Sequence, residues 1–485
     1  MLIDRADSVT LAEHERRLAE DLETLGLPAP NWPATVPGPE GRPMLDVVVV
    51  GAGVFGLAAA AALTFRGIRN IAVFDRAPEG YEGPWLTTAR MKTLRSPKGL
   101  PGLALGIPAL SFRAWYAARF GEAAWEALYE IANAEWQDYL NWIRRVLALP
   151  VRNGVSVLAL RPCGAHLAVE TDQGVLHARR VVLATGRSRT DNFRIPDFVD
   201  PSLWPDRAAH TAEAIDFGRL AGRRVVVLGG GASAWDNAAT ALEQGAARVD
   251  MLVRRPFLPQ INKWRAAFNP GVFEGWASWP PALRWEWIVR LHDWPPPPPH
   301  ESVHRVIAHP NFALHPGSPV VAAAPNGAGV ALRLGPAGDH RLEADFLILA
   351  TGFEVDLSRV PELAALLPHV ATWSDRYAPP PELARPALGR LPFLGEAFEL
   401  TEKHEGTCPA VGRVHLFNTA SVASIGPVAS EIPGLAEGAQ RLATRIAAAF
   451  SLEDNAHLRA VVEAYDDPEL GTTPYYAPEA FAERS

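Results

Sequence analysis

Cysteine is nearly absent: the 485-residue chain has two, Cys163 and Cys408. Thiols so far apart form no disulfide framework, no CxxC redox pair and no cysteine zinc site, and they fit a reducing, cytoplasmic compartment. No metal is expected. No run of about 18 uncharged apolar residues occurs, so no membrane span is expected. The N-terminal stretch MLIDRADSVTLAEHERRLAED is too charged for a signal peptide. Basic residues are not in excess, since 46 Lys+Arg stand against 54 Asp+Glu, a net charge of −8. That balance carries no global electrostatic footprint for nucleic acid. What is present is ordinary for a globular chain: 48% hydrophobic and 21% charged residues, with length for two or three domains.

Thr10 followed by Glu13 fits a capping box, and Leu11, Leu18, Leu22 and Leu25 then share one helical face. This helix is either an oligomer contact or a helix packed on its own domain, the second being the commoner case. Pro28–Pro43 is a linker rich in Pro and Gly. An apolar run at Leu45–Val50, a glycine cluster, a helical segment at Leu57–Arg66 and a second run at Ile71–Phe74 form one unit. An aromatic helical region covers Phe112–Leu149, and short strands fill 155–183. A second strand–glycine–helix unit begins at Arg223. Six of the fifteen tryptophans lie between Trp264 and Trp294, just before Pro295–Pro299. They make a wall over a pocket or a packed insertion, and aromatics more often pack. A strand closing at Gly352, another at Val414–Asn418 and a helix at Leu435–Phe450 complete an α/β alternation.

The first glycine cluster is Gly51-Ala52-Gly53-Val54-Phe55-Gly56. Gly51 permits the tight turn, Gly53 lets backbone approach a pyrophosphate, and Gly56 lets helix and strand pack closely. The anion then meets the free amides of the helix N-terminus, including those of Val54 and Phe55. Asp75 ends the second strand, placed to accept hydrogen bonds from a ribose diol. The second cluster is Gly229-Gly230-Gly231-Ala232-Ser233-Ala234, the GxGxxA variant, in which Ser233 and Ala234 open the helix. Arg254 occupies the position matching Asp75, with Arg255 beside it. A carboxylate there repels a 2′-phosphate, whereas arginine forks onto one. FAD in the first cradle and NADPH in the second is the economical reading.

GAGVFG, GGGASAWDNA and two ATG segments, Ala184-Thr185-Gly186 and Ala350-Thr351-Gly352, give the chain a family likeness. It resembles the two-dinucleotide-domain flavoproteins and, within them, the class B monooxygenases: flavin-containing, Baeyer–Villiger and N-hydroxylating enzymes. Gly83-Pro84-Trp85 is similar to the family's GGxW, which puts Trp85 beside the flavin. The resemblance implies an α/β fold of two Rossmann-like domains, the NADPH domain inserted into the FAD domain. The expected division is a prelude at 1–44, a first FAD segment at 45–186 and an NADPH domain at 187–343 carrying the Trp/Pro-rich insertion 262–300. A second FAD segment at 344–450 and a tail at 451–485 follow. The implied chemistry is reduction of flavin by NADPH, addition of oxygen at flavin C4a, and transfer of one oxygen to a nucleophilic nitrogen or sulfur of a small molecule.

The same resemblance implies site residues. The ATG glycine Gly352 and the Gly426 of His415–Pro427 would approach the FAD. His210, a candidate catalytic group, matches the histidine of the family fingerprint, which would make it conformational or NADPH-linked; Trp204, Asp206 and Ala214 break the surrounding pattern, so a loop histidine bonded to backbone is the alternative. In the basic stretch after Trp85, Lys92 is a candidate catalytic group and Lys98 a candidate receiver of a substrate carboxylate. Small-molecule substrate and O2 are the expected partners, and homo-oligomerisation stays open. Two alternatives remain: an FAD/NAD(P)H reductase or oxidase without oxygen insertion, and a nucleotide-binding redox sensor.

Overall fold

Four consecutive valines, Val47–Val50, demand apolar cover on both faces of a strand, and a parallel sheet flanked by helices supplies it. The computed structural model describes residues 10–186, 193–429 and 431–478. The strand Leu45–Val50 pairs in parallel with Ile71–Asp75 on one side and with Gly174–Leu183 on the other. The full sheet has seven strands, running Val151–Asn153, Ile71–Asp75, Leu45–Val50, Gly174–Leu183, His166–Thr171, Val157–Cys163. The seventh, Val414–His415, returns late in the chain to pair with Val181 and Val182. A second, all-parallel sheet of five strands runs Phe312–Pro316, Arg248–Val253, Arg224–Leu228, Phe346–Leu349, Ala208–His210. A three-stranded antiparallel sheet, Val320–Asn326, Gly329–Leu334 and His340–Ala344, lies beside it.

The second sheet is thus inserted in sequence between strands of the first, as the α/β reading expects. The cores follow suit. One large core joins residues 18–184 to residues 357–450, while two smaller ones lie within 199–349. The expected domain boundary at residue 187 lies outside the described residues.

The helix after the first glycine cluster, Val54–Phe65, is buried from Gly56 to Leu63, and its alanines let the C-terminal helix Leu435–Glu453 lie against it. Three aromatic helices, Phe112–Phe120, Glu122–Ala127 and Asn133–Val146, bury Trp115, Trp136 and Tyr139 as core. The N-terminal helix, Leu11–Thr24, packs on its own chain. Leu18 is buried, the His14 ring nitrogen bonds the Ala109 carbonyl at 2.9 Å, and Trp142 Nε1 donates to Glu15 at 3.0 Å. Leu25, expected on its apolar stripe, is 59% exposed. Thr10 caps the Glu13 amide, but the Glu13 carboxylate pairs with Arg16 and Arg17 instead of reaching back to the cap.

The expected strand Val414–Asn418 is shorter, ending at His415. Asn418 accepts from the Ala420 amide at 3.0 Å and donates to the Leu183 carbonyl at 3.1 Å, turning the chain into a short 3-10 segment. The tryptophan-rich insertion packs against the same chain. Trp276, Trp285 and Trp373 are fully buried in one cluster, and Arg284 donates to the Ser424 carbonyl at 2.9 Å. Among the described residues, no helix is long and apolar enough to cross a membrane.

Candidate functional site

Both glycine clusters sit where a parallel strand ends and a helix begins, and their construction is nearly identical. Gly51 has φ +99° and its N–H donates to the Phe74 carbonyl at 2.7 Å. A Cβ there would stand 2.6 Å from the Ala184 carbonyl oxygen. Gly229 has φ +136°, donates to the Leu252 carbonyl at 3.0 Å, and a Cβ would stand 2.3 Å from the Ala350 oxygen. In each unit the first alanine of an ATG segment therefore presses its backbone onto the first glycine of the neighbouring strand end. This gives the ATG motifs a physical role beyond resemblance: only glycine tolerates both the positive φ and the close carbonyl. At Gly56 the fit is tighter still, with a Cβ 1.8 Å from the Gly51 oxygen.

Each helix opens without a side-chain cap. Gly53 is the N-cap of Val54–Phe65, and Gly231 is the N-cap of Ala232–Glu243. The amides of Val54 and Phe55, and of Ala232 and Ser233, lie in first turns that offer no intrahelical acceptor. The Ala234 amide is turned back onto the Gly231 carbonyl at 2.9 Å. A Cβ on Gly53 would meet only Gly83, at 3.8 Å, so the space above the first cradle is open. Two buried polar atoms beside it, Trp85 Nε1 and Asn133 Oδ1, have no hydrogen-bond partner among the described residues. Open glycine backbone, uncapped amides and unpartnered polar atoms fit a bound dinucleotide.

Asp75 accepts from the amides of Ala52 and Ala77, each at 2.8 Å, so it braces the first cradle from the end of its strand. Arg254 is exposed, Arg255 is half-buried, and neither makes an ion pair among the described residues. Trp85 packs edge-on against Trp136. Its carbonyl and that of Met91 accept from Asn133 Nδ2 at 3.3 and 2.7 Å. The buried Glu82 binds Asn153 Nδ2 at 2.7 Å and Arg144 at 3.1 Å, anchoring the Gly83-Pro84-Trp85 segment from behind. Sequence reasoning passed over Glu82 and Asn133; an acid next to Gly83-Pro84-Trp85 was the available signal.

The basic stretch after Trp85 runs across to the helix of the second cradle. Lys92 Nζ donates to Glu243 at 3.0 Å, and Arg95 pairs with the buried Asp236. Arg305 joins from a third helix, at 2.8 Å from Glu243 and 3.1 Å from the Arg90 carbonyl. The bond to Arg305 leads the causes that hold the Glu243 carboxyl below its usual range. Lys98 donates to the carbonyls of Trp125 and Glu126 at 2.8 and 3.3 Å and lies over the Trp125 ring. A substrate carboxylate at Lys98 would compete with those carbonyls.

His210 is fully buried where the two crossover segments meet. Phe193 stacks on it at 4.7 Å, Phe353 meets it edge-on at 5.7 Å, and Phe193 and Phe353 form a β-bridge. Its Nδ1 accepts from the Ala212 amide at 3.1 Å, and Nε2 has no partner of hydrogen-bond geometry among the described residues. Burial pushes its pKa down to about 4, the Gly352 backbone offsetting part of that effect. Gly352 itself is exposed, with φ +85° and open space where a side chain would stand. Gly426, at φ +82°, is packed differently from expectation: the space of its missing side chain is filled by Trp276, 2.8 Å from an added Cβ.

Residues 48–270 match the family model described as pyridine nucleotide-disulphide oxidoreductase. The chain is 40% identical to the FAD-dependent urate hydroxylase of Xanthomonas campestris pv. campestris, over 94% of this chain and 96% of that protein. The ornithine hydroxylase PvdA of Pseudomonas aeruginosa superposes with a TM-score of 0.66 at 20% identity, covering 84% of this chain and 99% of that one. The ornithine N-hydroxylase KtzI of Kutzneria sp. 744, solved with reduced FAD, NADP+ and L-ornithine, gives 0.65 at 20% identity, covering 83% and 99%.

Proposed function

The chain belongs to the class B flavoprotein monooxygenases, FAD-dependent oxidoreductases, and on that premise we propose that it is an NADPH-using hydroxylase of a small, electron-rich substrate. Bound FAD supplies the redox and oxygen chemistry that no side chain here can. The protein's own residues bind, orient and exclude water. Gly51, Gly53, Val54, Phe55 and Gly56 hold the FAD pyrophosphate, Asp75 braces its ribose end, and Trp85 lies against the ring system. Gly229, Gly231, Ser233 and Ala234 cradle the NADPH pyrophosphate, while Arg254 and Arg255 take the 2′-phosphate. The NADP+ bound to KtzI supports the second assignment.

One observation carries the reading: two cradles of the same build end in opposite charge, Asp75 in one and Arg254 with Arg255 in the other. The substrate class draws on a second. Lys92 and Lys98 are both engaged within the protein, which favours a substrate that needs no lysine for a carboxylate. Urate, for which the 40% identical relative is named, is such a molecule.

The test is FAD-loaded protein supplied with NADPH, 18O2 and either urate or ornithine. Urate should accelerate NADPH loss and give a product carrying one labelled oxygen, with ornithine inert. NADPH loss that yields only hydrogen peroxide with both compounds would sink oxygen insertion and leave the reductase or oxidase reading. No NADPH loss under any condition would leave the sensor.

A further inference from the structure

At the edge of the first sheet lies a cluster that the nucleotide cradles do not use. The hairpin Val157–Cys163 / His166–Thr171 turns through Gly164 and Ala165, so Cys163 and His166 are direct cross-strand partners. The next strand, Gly174–Leu183, pairs antiparallel with the hairpin, His177 opposite Ala168. Side chains alternate faces along a strand, so His166 and Ala168 share a face, and cross-strand partners share it too. Register alone therefore brings Cys163, His166 and His177 to one face, with the small Ala168 leaving room between them. Leu167 and Val169 point the other way, into the core.

The side chains bear this out. One ligand atom from each of the three residues lies within 4.8 Å of the others. The two imidazoles meet edge to face at 5.2 Å. His166 Nε2 and His177 Nδ1 are both buried and, among the described residues, both without a hydrogen-bond partner, and the Cys163 thiol is in no disulfide. Two orphaned imidazole nitrogens converging on a thiol form a donor set that lacks its acceptor. The other charges on this face are paired, Glu170 with Arg161 and Arg179 with Asp46 and Asp454.

We propose that Cys163, His166 and His177 form a Zn2+ site, with water in the fourth position. One sulfur and two imidazole nitrogens suit a borderline-soft divalent ion and not Mg2+ or Ca2+, which prefer oxygen. In a tetrahedral site with ordinary zinc bond lengths, one sulfur and two nitrogens stand roughly 3.3–3.6 Å apart. Closing from the present spacing takes shifts of about 1 Å at a hairpin tip, within side-chain rotation. Binding forms one Zn–S and two Zn–N bonds and releases the Cys163 thiol proton to water. The ion clips the hairpin to the neighbouring strand, and the site stands whether or not the nucleotide reading holds.

The experiment uses the full-length, flavin-loaded protein, stripped with a chelator, dialysed and equilibrated with Zn2+ or Mg2+. Metal per chain is measured by elemental mass spectrometry. Wild type should retain one zinc and no magnesium. Cys163→Ser and His177→Gln should each weaken zinc binding by more than about 100-fold, beyond the loss caused by removing an outer-shell partner. His300→Gln is the control, because His300 and His304 form an exposed pair on one helix, 3.1 Å apart. Co2+ in place of Zn2+ should give tetrahedral d–d bands to the red of the flavin, absent from His177→Gln even if Cys163→Ser fails to fold. Zinc retained by both hairpin variants, zinc lost only in His300→Gln, or no zinc in wild type would each overturn the site.

Discussion

The two cradles share one backbone and differ in what surrounds it. In the first, the helix Val54–Phe65 is buried along most of its length in the large core, and Asp75 bonds back to the loop it serves. In the second, the helix Ala232–Glu243 belongs to a smaller core, and Arg254 stands in solvent without an ion-pair partner among the described residues. A cradle braced by its own acid, with a carboxylate and no cation as the last residue of the strand, suits a ligand that stays. One that ends in waiting cations suits a ligand that comes and goes, steered by charge. The difference is one of electrostatics on a common frame, since the second helix is buried along most of its length as well.

Glycine substitutions should break the comparison most severely. Gly56→Ala puts a methyl 1.8 Å from the Gly51 oxygen, so the strand–helix packing itself should fail and soluble protein should be lost. Gly53→Val is subtler, since the nearest protein atom to its Cβ is 3.8 Å away. The chain should fold, with a circular dichroism spectrum like wild type, yet purify without yellow colour. Gly53→Val carrying a full complement of flavin would remove the pyrophosphate from that loop.

Next in size is the charge at the second cradle. Charge-assisted hydrogen bonds contribute about 1.5–3 kcal/mol each. Replacing Arg254 and Arg255 together with serine should therefore raise KM for NADPH on the order of 100-fold or more and leave KM for NADH nearly unchanged. Equal losses with both coenzymes would show that the arginines do not read a 2′-phosphate. Flavin content should stay at the wild-type level, because the first cradle is untouched.

Two buried histidines, His210 at the seam between the units and His415 in the first sheet, add a pH dependence. His210 and His415 are both buried, and burial lowers each pKa to about 4. An unfolded histidine titrates near 6.5, so between about pH 6.5 and 4 the unfolded chain binds protons that the folded chain refuses. Stability should be full above about pH 6.5 and fall as pH drops through that window, by up to about 3 kcal/mol per histidine. His210→Asn keeps an acceptor for the Ala212 amide and removes the titration. Chemical denaturation at pH 7 and pH 5 should show a smaller difference for this variant than for wild type. An unchanged difference would assign the acid sensitivity elsewhere.

What was legible in the sequence was local. Glycine spacing, the acid at Asp75 and the arginines at 254 and 255 all fall within about 25 residues of their cradles, and strand–turn–helix geometry fixes them. What was not legible was long-range. Lys92 and Glu243 are 151 residues apart, so a basic run following Trp85 looks identical whether it faces a ligand or another helix. Gly426 shows the same limit: a glycine announces a close approach but not what approaches, and here the neighbour is Trp276. Counting cysteines alone also hid the Cys163 hairpin, because strand register, not sequence proximity, brings His177 to it.

The smallest expected effect tests the contact between the cradles. Lys92 and Glu243 are 60% and 26% exposed, and exposed ion pairs are worth about 0–1 kcal/mol. Glu243 also keeps Arg305 when Lys92 is gone. Lys92→Gln should therefore lower stability by less than about 1 kcal/mol and change kcat little. Arg95→Gln should cost more, because its partner Asp236 is buried and, among the described residues, keeps the Ser302 hydroxyl at 2.5 Å but no other ion pair. Ranked this way, the basic stretch is a strap from the first cradle's rim to the second cradle's helix. A more than tenfold loss of kcat in Lys92→Gln at unchanged Tm would instead give its ammonium a part in turnover that a surface contact of this energy does not supply.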